Sequence, residues 1–226
     1  MTTTDGELAP ADGAPPAADT GYRGTPQGLV AAFAERRAVR RAPDGFLDMI
    51  EALRRLQDDV TAAAPPADLV DEVTRTLSSL SERLRPHAVP ERDQFTGHQS
   101  DVPGRGQTLS PVITIEEADE HHARGRVTFG RFYLGGNGAV HGGAIPLMFD
   151  ELLGRLANSG GRVPSRTAYL HVNFRSITPV GKELRLEGRF DREEGRKRFL
   201  AGELYDGDTL CADAEGLFVQ LRPGQP

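Results

Sequence analysis

The feature that most constrains the fold is one apolar helix set among short strands. Residues 142–158 carry apolar side chains almost all round the predicted helix, which is typical of a helix buried on every side. Two segments before it and four after it are rich in β-branched, aromatic or alternating apolar residues. These predicted strands are 110–116, 121–129, 166–176, 182–190, 196–205 and 209–221. Because the links between the last four are short, neighbouring strands should be antiparallel, and we predict an α+β fold of about six strands wrapped around one long helix.

The N-terminal half of the chain has a different composition and period. Residues 1–26 are mostly small, proline and acidic residues that bury too little apolar surface to fold, so we expect a disordered tail. Residues 27–86 have helical periodicity and are expected to form an amphipathic helical extension. Prolines and glycines mark 87–108 as a linker, and 109–222 as the main domain.

Apolar stripes at spacings of three and four define the helices of this extension. The stripes are strong over 45–61 and from Leu69 to Leu84, and weaker over 27–41. Two interpretations stay open for these helices. They form a hairpin that packs on the main domain or on its copy in a dimer, or they form an arm that binds a partner.

Charge and composition exclude several classes of function. The net charge is -6 and no block of Lys or Arg is present, which argues against a nucleic-acid-binding face. No apolar run approaches the length of a membrane span, and the N-terminus lacks the pattern of a signal peptide. The single cysteine, Cys211, permits no intramolecular disulfide, which suits a reducing compartment. We therefore expect a cytoplasmic protein.

The start of the apolar helix is suited to binding an anion. Pro146 falls in the first turn, so Gly142 and Gly143 lie at the helix N-terminus. Free backbone N–H groups and the helix dipole favour a negative charge or a developing oxyanion there. Glycine lacks a Cβ and lets a substrate carbonyl approach the backbone.

Two carboxylates, Asp150 and Glu151, interrupt the apolar surface further along the helix. A buried carboxylate is costly unless it has a partner or a task, and the alternative is that both lie on a polar edge. Gly143 and Asp150 are nearly two turns apart, roughly 10 Å along the axis. One reacting carbonyl cannot lie within about 3 Å of both. If both act on one atom, one of them must come from a second copy of the chain, across a two-fold axis.

A longer pattern of residues surrounds this helix. Its signature is His141-Gly142-Gly143, followed nine residues after the histidine by Asp150. It continues through Thr167, Val172-Asn173-Phe174-Arg175 with Pro179, Glu194-Gly195-Arg196-Lys197 and Ala214-Glu215-Gly216-Leu217-Phe218-Val219. With this pattern, residues 108–222 resemble the hotdog-fold acyl-CoA thioesterases of the phenylacetate-degradation and THEM type.

The resemblance implies a catalytic role for four residues. The Gly143 N–H would polarise the thioester carbonyl, and His141 would support that loop or the carbonyl. Asp150 of the facing subunit would act as general base for water or as nucleophile. Thr167 would position the water or the carboxylate.

The resemblance also implies contacts with the substrate. The candidates are Gly142, Asn137, Asn173, Arg175, Arg196 and Lys197. The three basic residues would bind the phosphates of coenzyme A, with ordinary solvated charges as the alternative for each. Two departures from the family pattern stand nearby: Gly135 replaces an asparagine of many phenylacetate-type relatives, and Ser176-Ile177 replaces an Arg-Pro.

The expected function is hydrolysis of an acyl-CoA thioester to a free acid and CoA, by a homodimer or homotetramer without a metal or bound cofactor. A dehydratase of the same fold is one alternative, although the usual pairing of Asp with His is not evident. A non-catalytic acyl-CoA-binding or regulatory protein, whose N-terminal helices contact a partner, is another. The presence of His141, Gly143, Asp150 and Thr167 disfavours it.

Overall fold

The computed structural model describes residues 41–99 and 102–225. The expected tail over 1–26, and all but Arg41 of the weak helix over 27–41, lie outside these residues. The helices are α1 (Phe46–Ala62), α2 (Ala67–Leu84) and α3 (Ala144–Ala157). The strands are β1 (Ile113–Ala118), β2 (His122–Thr128), β3 (Leu134–Gly136), β4 (Ala139–Val140), β5 (Ser165–Phe174), β6 (Glu183–Glu194), β7 (Lys197–Asp206) and β8 (Thr209–Gln220).

Six of these strands form the main sheet, in the order β1-β2-β6-β7-β8-β5. Every neighbouring pair is antiparallel, as the short links require. The prediction of a six-stranded hotdog sheet with one central helix is therefore confirmed. Between β2 and α3 the chain forms a 3-10 turn, Arg131–Tyr133, and the small hairpin β3–β4.

The core lies where α3 packs against the inner face of the sheet. Met148, Phe149 and Leu152 are fully buried, which confirms the prediction of a helix enclosed by the strands. Glycines in the sheet make room for it: a Cβ at Gly188 would lie 3.3 Å from Leu152, and one at Gly202 would lie 3.0 Å from Phe149. Replacing either glycine would push the helix away from the sheet.

Helices α1 and α2 differ in how they pack. In α1, Ile50 is buried, and Phe46 packs edge-on against Phe95 with ring centroids 5.6 Å apart. In α2 no residue is buried, so packing of this helix on the main domain is wrong for the described chain, and packing on a second copy stays a prediction. Among the described residues, no helix combines the length and apolar character needed to cross a membrane.

Candidate active site

The N-terminus of α3 forms a compact hydrogen-bonded loop. The Gly143 N–H donates to Nδ1 of His141 over 3.0 Å, and the Ala144 N–H donates to the His141 carbonyl over 2.9 Å. A neutral imidazole that accepts at Nδ1 carries its proton on Nε2, so the hydrogen bond assigns the tautomer. His141 thus supports the loop, which is one of its two expected roles.

The β3–β4 hairpin packs closely on this loop. The His141 N–H donates to the Tyr133 carbonyl over 2.7 Å. A Cβ at Gly135 would lie only 2.8 Å from the Cα of His141, so this backbone geometry excludes the asparagine found in many phenylacetate-type relatives. Asn137 lies exposed at the hairpin turn with a φ of 49°, a left-handed conformation that asparagine tolerates. The turn conformation therefore accounts for an asparagine at position 137.

The second predicted pair lies further along α3. The Thr167 hydroxyl, on β5, donates to Oδ1 of Asp150 over 2.7 Å. Both residues are exposed in the single chain. The other carboxylate oxygen, Oδ2, has no hydrogen bond within the part of the chain that the structure describes. An exposed carboxylate that is held by one hydroxyl is free to accept a proton at its second oxygen.

The carboxylate next to it, Glu151, is the buried one. Glu151 is 7% exposed, and its Oε2 lies 2.8 Å from a guanidinium nitrogen of Arg105. Its Oε1 accepts a hydrogen bond from Nε of Arg155 over 2.7 Å. The expectation of a buried carboxylate therefore holds for Glu151 and is wrong for Asp150 in the single chain. Two cations satisfy the buried charge, as burial of a carboxylate requires.

A groove of about 630 Å³ opens beside Asp150, Glu151 and Thr167. Three arginines contribute to its wall: Arg105, Arg155 and Arg166. His141 and Gly143 do not line it, because they lie at the other end of the helix. The structure thus brings the four predicted catalytic residues together as two pairs, roughly 10 Å apart along the helix axis.

Sequence patterns missed the arginines of this groove. Arg105 lies in the predicted linker, where nothing in the local sequence relates it to Glu151, 46 residues later. Its φ of 54° was the only local anomaly, and this became visible only in three dimensions. Arg166 directly precedes Thr167 on β5, so its proximity to a predicted site residue was the available signal.

The predicted contacts for coenzyme A lie elsewhere on the surface. Asn173 donates from Nδ2 to Oδ1 of Asp213 over 2.7 Å, and Arg175 forms an ion pair with the same carboxylate. The Arg175 guanidinium holds the pKa of Asp213 below its usual range. Arg196 donates to the Gln220 carbonyl over 2.9 Å, whereas Lys197 is exposed at the start of β7. The contacts of Arg175 and Arg196 favour structural roles, and their contacts with phosphate stay predictions.

Comparison with known proteins agrees with the fold of the C-terminal domain. A family model described as "Thioesterase superfamily" matches residues 137–212. Acyl-coenzyme A thioesterase THEM4 of Bos taurus is 38% identical over 96 residues, which is 42% of this chain and 39% of that protein. THEM4 of Rattus norvegicus is 34% identical over 91 residues, which is 39% of each chain. The chain therefore matches well under half the length of these curated relatives.

A solved structure extends the comparison to the N-terminal helices. A crystal structure described as a thioesterase superfamily protein has a TM-score of 0.67 and 29% identity, and the match covers 79% of this chain and 97% of the other. A match of that extent reaches beyond the sheet and α3 into the N-terminal helices. The fold, the motif and all three comparisons agree that residues 137–212 match the thioesterase superfamily, and that the hotdog sheet around them is similar to that of a solved member.

Proposed function

We propose that this protein hydrolyses acyl-CoA thioesters to a free acid and coenzyme A. The observation that carries the proposal is the Asp150 carboxylate, held by Thr167 over 2.7 Å and exposed in a groove of about 630 Å³. The similarity to the THEM4 acyl-CoA thioesterases supports the same chemistry. Water is the only co-substrate in this proposal, and no metal or cofactor takes part.

Asp150 is the proposed proton acceptor. It takes a proton from water as the water oxygen attacks the thioester carbonyl, and the C–S bond then breaks. The proton passes to the departing thiolate, which leaves CoA and the acid as products. In the alternative that the sequence leaves open, Asp150 attacks the carbonyl itself, the C–S bond breaks, and CoA leaves as a thiolate. Water then hydrolyses the resulting mixed anhydride to the acid and the Asp150 carboxylate, and the proton released goes to the thiolate. A general base contributes roughly 10²–10⁴ to the rate.

The Gly143 N–H is the proposed oxyanion donor. It donates to Nδ1 of His141 in the absence of substrate, so the substrate oxygen must replace this acceptor. The Gly143 N–H thus exchanges one hydrogen bond for another, and the new hydrogen bond is strongest when the oxygen carries the negative charge of the intermediate. Loss of one such donor typically slows an enzyme on the order of 10²–10³.

A second copy of the chain would complete each site. Gly143 and Asp150 of one helix lie too far apart to act on one carbonyl, so Asp150 is proposed to come from the facing subunit. Among the strands that the structure describes, β5 lies at an edge of the sheet and has β8 as its one neighbour. It exposes Tyr169 and Phe174, which are 47% and 58% accessible. A ten-residue edge strand with exposed aromatic residues is suited to covering by another copy, in a homodimer or homotetramer.

The first experiment measures the release of free thiol from a panel of short, long and aromatic acyl-CoAs. We expect turnover of one class, and a loss of about 10³-fold in Asp150→Asn with substrate binding largely retained. Asp208→Asn, an exposed carboxylate in the β7–β8 turn, is the matched control and should be unaffected. Binding of an acyl-CoA without turnover of any would replace this proposal with a non-catalytic binding protein.

Mixed oligomers test whether the site is shared. Gly143→Pro removes the oxyanion N–H, and the φ of -73° at this position suits proline. If one site combines Gly143 of one chain with Asp150 of the other, mixing inactive Gly143→Pro and inactive Asp150→Asn chains restores about a quarter of wild-type activity. No recovery in verified mixed oligomers would place both residues in the same chain's site.

A further inference from the structure

Helix α1 contacts the segment that leads into residues 141–143, which carry the proposed oxyanion donor and are called the oxyanion loop below. The carboxylate of Asp58 accepts a hydrogen bond from the Phe132 N–H over 2.7 Å. Phe132 is the middle residue of the 3-10 turn Arg131–Tyr133, which directly precedes the β3–β4 hairpin. The 74 residues between the partners make this a tertiary contact that no local pattern predicts.

Hydrogen bonds continue from this turn to the proposed oxyanion donor. Tyr133, next to Phe132, accepts the His141 N–H at its carbonyl over 2.7 Å. The His141 ring in turn accepts the Gly143 N–H at Nδ1 over 3.0 Å. The Asp58 carboxylate is therefore connected to the Gly143 N–H through one 3-10 turn and two further hydrogen bonds.

The molecule makes room for the Asp58 carboxylate at a specific glycine. A Cβ at Gly130 would lie 2.8 Å from Cγ of Asp58 and closer still to both carboxylate oxygens. The φ of Gly130 is -68°, which any residue adopts, so the glycine is needed here for space and not for conformation. The Asp58 carboxylate therefore occupies the space that a side chain at position 130 would take.

Asp58 is a locally unfavourable choice at this place in the helix. Aspartate is a poor helix former, and a negative charge near a helix C-terminus opposes the helix dipole. Asp58 lies one turn before the end of α1 at Ala62. A local conflict of this kind is expected where tertiary contacts or function select the residue.

Further contacts join α1 and the turn to the segment that precedes the sheet. Arg54, one turn before Asp58, donates to the Gln107 carbonyl. The Tyr133 hydroxyl donates to the Leu109 carbonyl over 3.2 Å. Burial raises the pKa of Tyr133 to about 12, so this hydroxyl remains a donor throughout the neutral range. Tyr133, the last residue of the turn, is therefore anchored to the segment that precedes the sheet, and Arg54 anchors α1 to the same segment.

We propose that Asp58 is a positioning residue for the oxyanion loop, and that α1 thereby contributes to thioester hydrolysis without touching the substrate. The inference rests on the proposed function, because it gives a catalytic purpose to the loop that Asp58 holds. Asp58 fixes the turn 131–133, and the Tyr133 carbonyl of that turn fixes the His141 backbone. The backbone of His141 in turn places Gly143, two residues later, so the N–H keeps its position when the substrate oxygen replaces Nδ1 of His141. The expected consequence is a specific effect on the chemical step, since the oxyanion interaction is strongest in the transition state.

The test compares three variants of the full chain. Asp58→Ala removes the acceptor, whereas Asp58→Asn retains an oxygen in the same place. Asp59→Ala, at the exposed neighbouring carboxylate, is the matched control. We expect kcat to fall about tenfold in Asp58→Ala with KM nearly unchanged, to stay near wild type in Asp58→Asn, and to stay unchanged in the control.

Amide hydrogen exchange supplies a readout that needs no substrate. We expect exchange of the His141 and Gly143 N–H groups to accelerate about tenfold in Asp58→Ala and not in Asp59→Ala. Gly130→Ala should reproduce the Asp58→Ala result, because the added Cβ displaces the carboxylate. This second variant keeps the test decisive if Asp58→Ala does not fold.

The outcomes separate this inference from the proposed function. Unchanged kcat and exchange in Asp58→Ala or Gly130→Ala would overturn the role of Asp58 while leaving the thioesterase intact. An equal fall in kcat in Asp58→Ala and Asp58→Asn, with no change in amide hydrogen exchange, would also overturn it. If the wild type hydrolyses no acyl-CoA, the proposed function fails, and exchange alone decides whether Asp58 holds the loop.

Discussion

Two neighbouring carboxylates of α3 have opposite environments. Asp150 faces the open groove, is exposed, and is held by the Thr167 hydroxyl over 2.7 Å. Glu151 is 7% exposed and lies between the guanidinium groups of Arg105 and Arg155. Successive residues of a helix point about 100° apart, so a single step along the chain separates a solvent-facing position from a buried one.

With the proposed role of Asp150, one helix would serve both chemistry and stability. A carboxylate with a free oxygen and solvent access can take up a proton, whereas both oxygens of a carboxylate that lies between two cations are already bound. Replacing Asp150 should therefore affect turnover, and replacing Glu151 should affect folding. The following variants are arranged by the size of the expected effect.

The largest effect is expected for Asp150→Asn. The amide keeps the size of the side chain and can still accept from Thr167, but it cannot accept a proton. We expect kcat to fall about 10³-fold, equivalent to roughly 4 kcal/mol, with the melting temperature nearly unchanged. Steady-state thiol release and thermal unfolding measure the two quantities. A large loss of stability in Asp150→Asn would show that Asp150 also stabilises the fold, and the contrast with Glu151 would fail.

Glu151→Gln should show the reverse pattern. The substitution removes the charge that two arginines share, although both guanidinium groups keep partial access to water, with side-chain exposures of 40% and 35%. We expect the free energy of unfolding to fall by about 2 kcal/mol. Urea unfolding measures it, and kcat per folded molecule should change little. A loss of kcat in Glu151→Gln at wild-type stability would show that Glu151 takes part in the reaction.

Thr167→Val tests how the Asp150 carboxylate is oriented. Valine keeps the branched shape and the strand preference of β5 but cannot donate to Oδ1. We expect kcat to fall about tenfold, because the carboxylate loses its orientation and keeps its charge. Thr167→Ser, which restores the hydroxyl, should recover most of the activity. Equal rates in the valine and serine variants would exclude this role.

Arg105→Gln should have the smallest effect. Arg105 is one of two cations on Glu151, and its side chain is 40% exposed, so solvent screens the pair. We expect a loss of about 1 kcal/mol in the free energy of unfolding. Arg92→Gln is the control, since that side chain is 83% exposed and its ion pair spans 3.8 Å. A loss as large as that of Glu151→Gln would show that Arg155 contributes little to the buried carboxylate.

Much of the hotdog domain followed from local patterns. The alternation Ala123, Gly125, Val127 and Phe129 of the predicted strand 121–129 matches four buried positions, three in β2 and one directly after it, because side chains of a strand alternate between its two faces. The all-apolar helix was equally predictable, since only an enclosed position suits it. The pairing of Asp150 with Thr167 came from the family resemblance, and the structure places their oxygens at hydrogen-bond distance.

Local patterns failed where two helices of equal character behave differently. Both α1 and α2 carry apolar stripes, yet α1 buries Ile50 while α2 buries no residue of the described chain. An apolar stripe shows that a helix has a face to cover, and the presence of a complementary surface decides whether one chain covers it. For α1 that surface is built from Phe95 and the 3-10 turn at 131–133.

Periodicity and the helix-breaking residues were enough to predict an α+β fold and to locate the start of α3, because both depend on residues close in sequence. The hotdog fold was implied by the family resemblance, and the strand order was decided in three dimensions, where β2 pairs with β6 and β5 pairs with β8. The partners of the charged groups were also decided in three dimensions. Arg105 on Glu151, Asp58 on the turn before the proposed oxyanion loop, and Arg198 on the last carbonyl of α3 are all distant in sequence. Electrostatic and hydrogen-bond partners need only meet in space, and the folding of the whole chain determines which of them meet.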